Sequence, residues 1–105
     1  MEDYYWDIAN ATKMGEYLTR KEWDVIDSFL ENNNISNCLD IGCGSGRFSI
    51  PISQRGIDVV AIDNDPIALL KLKEKLNERE LQLLKEMQIN YHLKILLLIV
   101  SYLLK

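Results

Sequence analysis

The stretch Cys38-Leu39-Asp40-Ile41-Gly42-Cys43-Gly44-Ser45-Gly46 decides the reading of this chain, together with Val59-Val60-Ala61-Ile62-Asp63 further along. The second of these, within residues 58–62, is a continuous apolar run of the type buried in parallel sheets. After the first run three glycines alternate with small residues, and glycine lets the backbone turn sharply and approach a ligand closely. The second run ends in Asp63. A carboxylate at the end of the next strand is well placed to accept hydrogen bonds from ribose hydroxyls. Strands over residues 37–41 and 58–62, joined through a glycine-rich turn and a helix, therefore predict a nucleoside half-site on a parallel sheet.

The glycine spacing discriminates between nucleoside sites. A dinucleotide fingerprint places glycine at the first, third and sixth positions, for the turn, the pyrophosphate and the helix packing. Here the glycines are Gly42, Gly44 and Gly46, and the sixth position is Arg47. No Gly-Lys-Ser/Thr sequence follows, so a nucleoside triphosphate loop is not supported either.

The segment closely resembles motif I of the class I S-adenosylmethionine-dependent methyltransferases, an apolar strand with an acid followed by Gly-x-Gly-x-Gly. Ile62-Asp63-Asn64-Asp65 resembles the acidic loop after the second strand of that family. The resemblance is specific over residues 37–76, weaker before them, and ends at about Glu80. It implies an α/β fold, a Rossmann-like parallel sheet with flanking helices, here truncated to the N-terminal part of the domain. It implies S-adenosyl-L-methionine as cofactor and methyl transfer as the ancestral activity. It also implies roles for individual residues. Gly42, Cys43, Gly44 and Gly46 would bring backbone against the methionine part of the cofactor. Asp40 would hold the loop and the cofactor amino group, Asp63 the two ribose hydroxyls, and Asn64 and Asp65 would border the adenine. In such proteins the segment before motif I often folds over the cofactor, which makes Tyr17 or Tyr5 a candidate pocket wall. Packing as core is the competing reading for each of these rings, since aromatics bury large apolar areas. The loops that usually carry the catalytic residues of that family lie after the point where the resemblance ends, so no catalytic residue is assigned, and no metal is expected.

Composition sets outer limits. A chain of 105 residues accommodates one domain. The net charge of -4, from 12 basic and 16 acidic residues, argues against broad electrostatic attraction to nucleic acid. The N-terminus lacks the apolar core of a secretory signal. Cys38 and Cys43 match neither a zinc pattern nor a disulfide framework, so a cytoplasmic setting is the expectation.

Other elements follow from periodicity and caps. Residues 3–18 predict a short helix and a turn broken at Gly15. Thr19 with Glu22 forms a capping-box pattern, and Trp23, Val25, Ile26, Phe29 and Leu30 recur at helical spacing, which predicts a helix over 20–31. A helix over 46–55 should bend or shorten at Pro51. Asp65 as cap and Pro66 at the first position open a helix expected to run to about Met87.

Residues 1–86 thus form the methyltransferase-like part, and residues 87–105 form an apolar tail. Leu93–Leu104 is too short to span a membrane, which needs about 20 apolar residues. The tail reads as a third buried strand, as a membrane-surface segment, or as an out-of-frame sequence. In the last reading, permitted synonymous codons one register over give an Asp-Ala and a Ser-Phe-Asp, like the family segment expected there. A half-site without an acceptor site should not turn over, so the chain alone is expected to be inactive, with the methyl acceptor unidentified. The alternative is a non-catalytic nucleoside-binding or interaction module whose apolar tail pairs with a partner chain. Self-association through the apolar tail is a further expectation.

Overall fold

The computed structural model describes residues 3–89. In chain order the elements are α1 (Tyr5–Asn10), α2 (Lys13–Asn32), β1 (Asn37–Ile41), α3 (Ser49–Ser53), β2 (Asp58–Asp63), α4 (Pro66–Lys75), α5 (Glu78–Leu83) and β3 (Leu84–Gln88). The three strands form one parallel sheet in the order β1-β2-β3. Asn37 stands beside Asp58 and Ile41 beside Ile62 on one side of β2, while Val59 stands beside Leu84 on the other. Parallel neighbours need a crossover between them. Here α3 carries the chain from β1 to β2, and α4 with α5 carries it from β2 to β3. This is the Rossmann-like arrangement of parallel strands with flanking helices that the resemblance implies.

The core lies where the helices cover β2. Val59, Ala61, Leu69, Leu72, Leu84, Ile52 and Ile57 are buried together, and Trp23, Ile26 and Leu30 pack against them from α2. These three recur at three- and four-residue spacing and make one face of α2. Val25 and Phe29, assigned to the same periodic set from sequence, are exposed. Arg55, after α3, pairs with Asp27 of α2 and lies 5.7 Å over the Trp23 ring, which ties the two helices together.

Several boundaries differ from the sequence reading, each for a local reason. Gly15 does not break the N-terminal segment. Thr12 caps α2 by accepting from the Gly15 backbone N–H at 3.0 Å, and Gly15 lies inside the helix. A Cβ at Gly15 would come within 2.3 Å of the Ala9 carbonyl oxygen, so glycine lets α1 fold tightly against α2. The Thr19–Glu22 pair is not a cap, because α2 has already begun; both side chains instead meet Arg47. Helix α3 begins late, at Ser49, which brings Pro51 into its first turn, where a proline N–H would have had no helical partner anyway. The helix from Pro66 stops at Lys75 rather than near Met87. Asn77 and Glu80 then form a capping box that starts α5, with bonds of 2.9 Å in both directions.

Residues 84–88, expected as the end of a helix, are the third strand. A strand over Leu93–Leu104 and the other readings of the apolar tail concern positions that lie outside the described residues. No helix among the described residues is long and apolar enough to cross a membrane.

Candidate functional site

The ends of β1 and β2 and the turn after β1 make the site. The β1–β2 ladder continues past the strand end: the Gly42 and Cys43 N–H groups both donate to the Ile62 carbonyl, at 2.8 and 3.0 Å. The chain then coils through Gly44 and Gly46 into α3, with positive φ at Gly42, Gly44 and Gly46. Gly46 is the demanding position. Its φ is +96°, and a Cβ there would meet Leu72 Cδ1 at 2.4 Å and an Ile50 side-chain carbon at 2.9 Å. Only glycine lets the turn lie against α4 at this point.

Asp63 clasps this loop. It is buried at the end of β2; its Oδ2 accepts from the Gly44 N–H at 2.8 Å and its Oδ1 from the Asp65 N–H at 2.9 Å. One carboxylate therefore ties the glycine turn to the acidic loop. Each of its oxygens keeps a second lone pair. Asp40, at the end of β1, accepts from the Ser49 hydroxyl at 2.6 Å. Burial raises the Asp40 carboxyl above its ordinary value, and the nearby Asp63 charge adds to this, against the Ser49 bond and the Arg47 charge. The Cys43 thiol is pushed up to about 12, chiefly by burial and then by the charges of Asp40 and Asp63.

These groups line a cavity of about 420 Å³ whose walls include Asp40, Gly42, Cys43, Gly44, Asp63 and Asn64. Three further walls come from the N-terminal segment: Tyr4, Trp6 and Asn10. Tyr4 is buried, with its hydroxyl 3.6 Å from where a Cβ on Gly44 would stand. Burial, and next the charge of Asp63, push its phenol up to about 12. Ser45, Arg47 and Phe48 complete the floor of the turn.

Six of the sequence-predicted site residues thus come together in one cavity, and three do not line it. Gly46 is turned towards Leu72 and Ile50. Asp65 caps α4 through the Ile67 N–H at 2.9 Å. Tyr17, 47% exposed on α2, is neither core nor cavity wall, and Tyr5 is exposed as well. The buried ring of the N-terminal segment at the cavity is Tyr4, with the exposed Trp6 beside it on the same wall. The sequence signal for Tyr4 was present, since it is one of three consecutive aromatics, but nothing local distinguishes it from Tyr5 and Trp6.

Comparison with known proteins extends this description. The family model described as a methyltransferase domain matches residues 38–93. The match continues past Glu80, where the sequence reading ended the resemblance, and so includes β3 and the first part of the segment assigned as a tail. A ribosomal protein L11 methyltransferase of Campylobacter lari is 50% identical over 42 residues, covering 38% of this chain and 15% of that protein. Among solved structures, TehB from Haemophilus influenzae superposes with a TM-score of 0.52 at 28% identity, over 64% of this chain and 23% of that one. A glycopeptide N-methyltransferase, MtfA, solved with (S)-adenosyl-L-methionine, shares the fold at a TM-score of 0.56 and 15% identity, over 64% of this chain and 31% of that one. The chain spans less than a quarter of the length of the first curated relatives it matches, 22% of one and 15% of the next.

Proposed function

Since the chain belongs to the methyltransferase domain family, we propose that its cavity binds S-adenosylmethionine and that the chain is the cofactor-binding part of a methyltransferase. One observation carries the reading: a glycine turn and a buried acidic residue, at the ends of adjacent parallel strands, share one cavity and are joined by the 2.8 Å bond from Gly44 to Asp63. Ligands of open α/β sheets sit outside the carboxyl ends of the strands, which is where this cavity lies.

In this reading the free lone pairs of Asp63 accept the ribose hydroxyls while its protein-facing ones keep the loop in shape. The backbone of the Gly42–Gly44 turn faces the amino-acid part of the cofactor, with Asp40 available to its ammonium group. Asn64 borders the adenine, and Asp65 serves the site through the capped start of α4 rather than by contact. Methyl transfer in such a site is a displacement at the sulfonium carbon, driven largely by holding the acceptor in line. The 105-residue chain alone is expected to bind cofactor without turning it over, because it corresponds to a small fraction of the length of its relatives.

Calorimetry tests the reading. S-adenosylhomocysteine should bind more tightly than NAD, because Arg47 stands where a pyrophosphate site has its third glycine. Asp63→Ala should weaken that binding by about tenfold or more, since hydrogen bonds to charged groups contribute roughly 1.5–3 kcal/mol each. Tighter binding of NAD, or unchanged affinity in a folded Asp63→Ala chain, would reject it.

A further inference from the structure

We infer that Asp7, Ser45 and Lys75 form a latch that holds α1 across the cavity, and that release of this latch controls access to the cavity. The three residues come from distant parts of the chain and meet at one point. Lys75 Nζ donates to Asp7 Oδ1 at 2.9 Å and to Ser45 Oγ at 2.7 Å, and the Ser45 hydroxyl itself donates to Asp7 Oδ1. Ser45 is buried between Gly44 and Gly46, so the latch grips the glycine turn itself. Lys75 is the last residue of α4, which joins the same point to the crossover between β2 and β3.

Helix α1 depends on such an outside grip. Its six residues fall well below the length at which a helix holds by itself. Its N-cap residue, Tyr4, makes no side-chain cap bond. Trp6 and Ile8 are exposed, so little apolar surface fastens it. What docks it is the Tyr4 ring, the tight turn onto α2, and the charged cluster around Asp7. Yet Tyr4, Trp6 and Asn10 make one wall of the cavity. A short helix that forms a wall and is held by a partly exposed ion pair is a removable wall. The Asp7–Lys75 pair is reachable by water, with side chains 33% and 42% exposed, so it opens far more cheaply than a packed core contact would.

The latch does not depend on what the cavity binds; only the ligand's identity rests on the function proposed above. Cys43 supplies the test, because it is buried and lines the cavity. In the full chain carrying Cys38→Ala, or Cys38→Ser if the alanine variant folds poorly, Cys43 is the sole thiol. Its modification by N-ethylmaleimide then reports opening. Asp7→Asn and Lys75→Met should each speed modification by about fivefold or more, as expected for loss of a charge-assisted hydrogen bond near the surface. The double variant should be no faster than the faster single one, because both break one cluster. Amide exchange should rise over residues 7–11 and stay unchanged in β2. Unchanged modification, independent effects that multiply, or equal acceleration in β2 would each overturn the latch. S-adenosylhomocysteine should protect Cys43 in the parent chain and dissociate faster from both latch variants. Latch-sensitive labelling without that protection would reject the cofactor and keep the latch. Protection without latch sensitivity would reject the latch and keep the cofactor.

Discussion

Asp40 shows how a half-buried carboxylate sits uneasily in the fold. Its carboxyl is half-buried at the end of β1, and burial, with Asp63 nearby, raises it above the ordinary value. An acid raised in this way stabilises the fold fully only below its unfolded value near 3.8, and that contribution is lost as pH rises through the folded value. At neutral pH the ionised group therefore costs stability. Asp40→Asn removes the charge and keeps an amide oxygen to accept from the Ser49 hydroxyl. Thermal denaturation of the unliganded chain should show a higher midpoint for Asp40→Asn at pH 7, with the difference shrinking towards pH 4. A lower midpoint at pH 7 would mean that the Arg47 charge and the Ser49 bond outweigh burial. The other residue-scale lesson is Arg47, whose position argued against a dinucleotide site. Its guanidinium donates to Thr19 Oγ1 at 3.0 Å, pairs with Glu22 at 3.5 Å and lies 4.3 Å over the Phe48 ring. It is thus a strut between the glycine turn and α2.

At the scale of elements, the break between α4 and α5 sets the position of the third strand. A helix continued from Pro66 to Met87 would have left β2 without a neighbour on that side among the described residues. Instead Leu76 leaves the helical conformation, and the Asn77–Glu80 capping box starts a new helix that delivers Leu84 into the core. Glu80 is buried and also accepts from Gln54 Nε2 at 2.8 Å, so the box is anchored to the end of α3. The backbone N–H of Asn77 and the Gln54 amide together hold the Glu80 carboxyl below its ordinary value. Loss of such a cap costs about 0.5–2 kcal/mol. Asn77→Ala should therefore lower chain stability by about 1 kcal/mol in urea unfolding without changing the slope. A neutral effect would show that the α5 start is dictated by β3 pairing alone.

At the scale of the molecule, stability is graded outward from β2. Among the described residues β2 has a strand on both sides, and its Val59, Ala61 and Ile62 are fully buried. On β1, by contrast, Leu39 and Ile41 are exposed. Opening free energies run from near zero at loosely held segments up to the global value in the core. Native-state amide exchange should accordingly be slowest in β2, intermediate in β1 and fastest in α1. Exchange in α1 as slow as in β2 would contradict this gradient.

The local parts of this fold were legible from the residues themselves. Strands β1 and β2 follow from apolar runs, the turn from its glycines, and the start of α4 from Asp65-Pro66, because each depends on contacts within a few positions along the chain. Most of the cavity was legible for the same reason: Asp40, Gly42–Gly44 and Asp63 stand at strand ends. Strand β3 was not. Leu84-Lys85-Glu86-Met87-Gln88 consists of strong helix formers, and by propensity it belongs to a helix. It is extended because β2 offers it a parallel ladder and because Leu84 packs beside Val59, contacts that cross some 25 positions of sequence. The same holds for the choice of Tyr4 over Tyr17 as a cavity wall and for the meeting of Asp7, Ser45 and Lys75. Local sequence determined β1, β2, the glycine turn and the start of α4, whose signals lie within a few positions; tertiary packing alone decided the third strand and which distant side chains meet at one point, because those contacts join segments far apart in the chain.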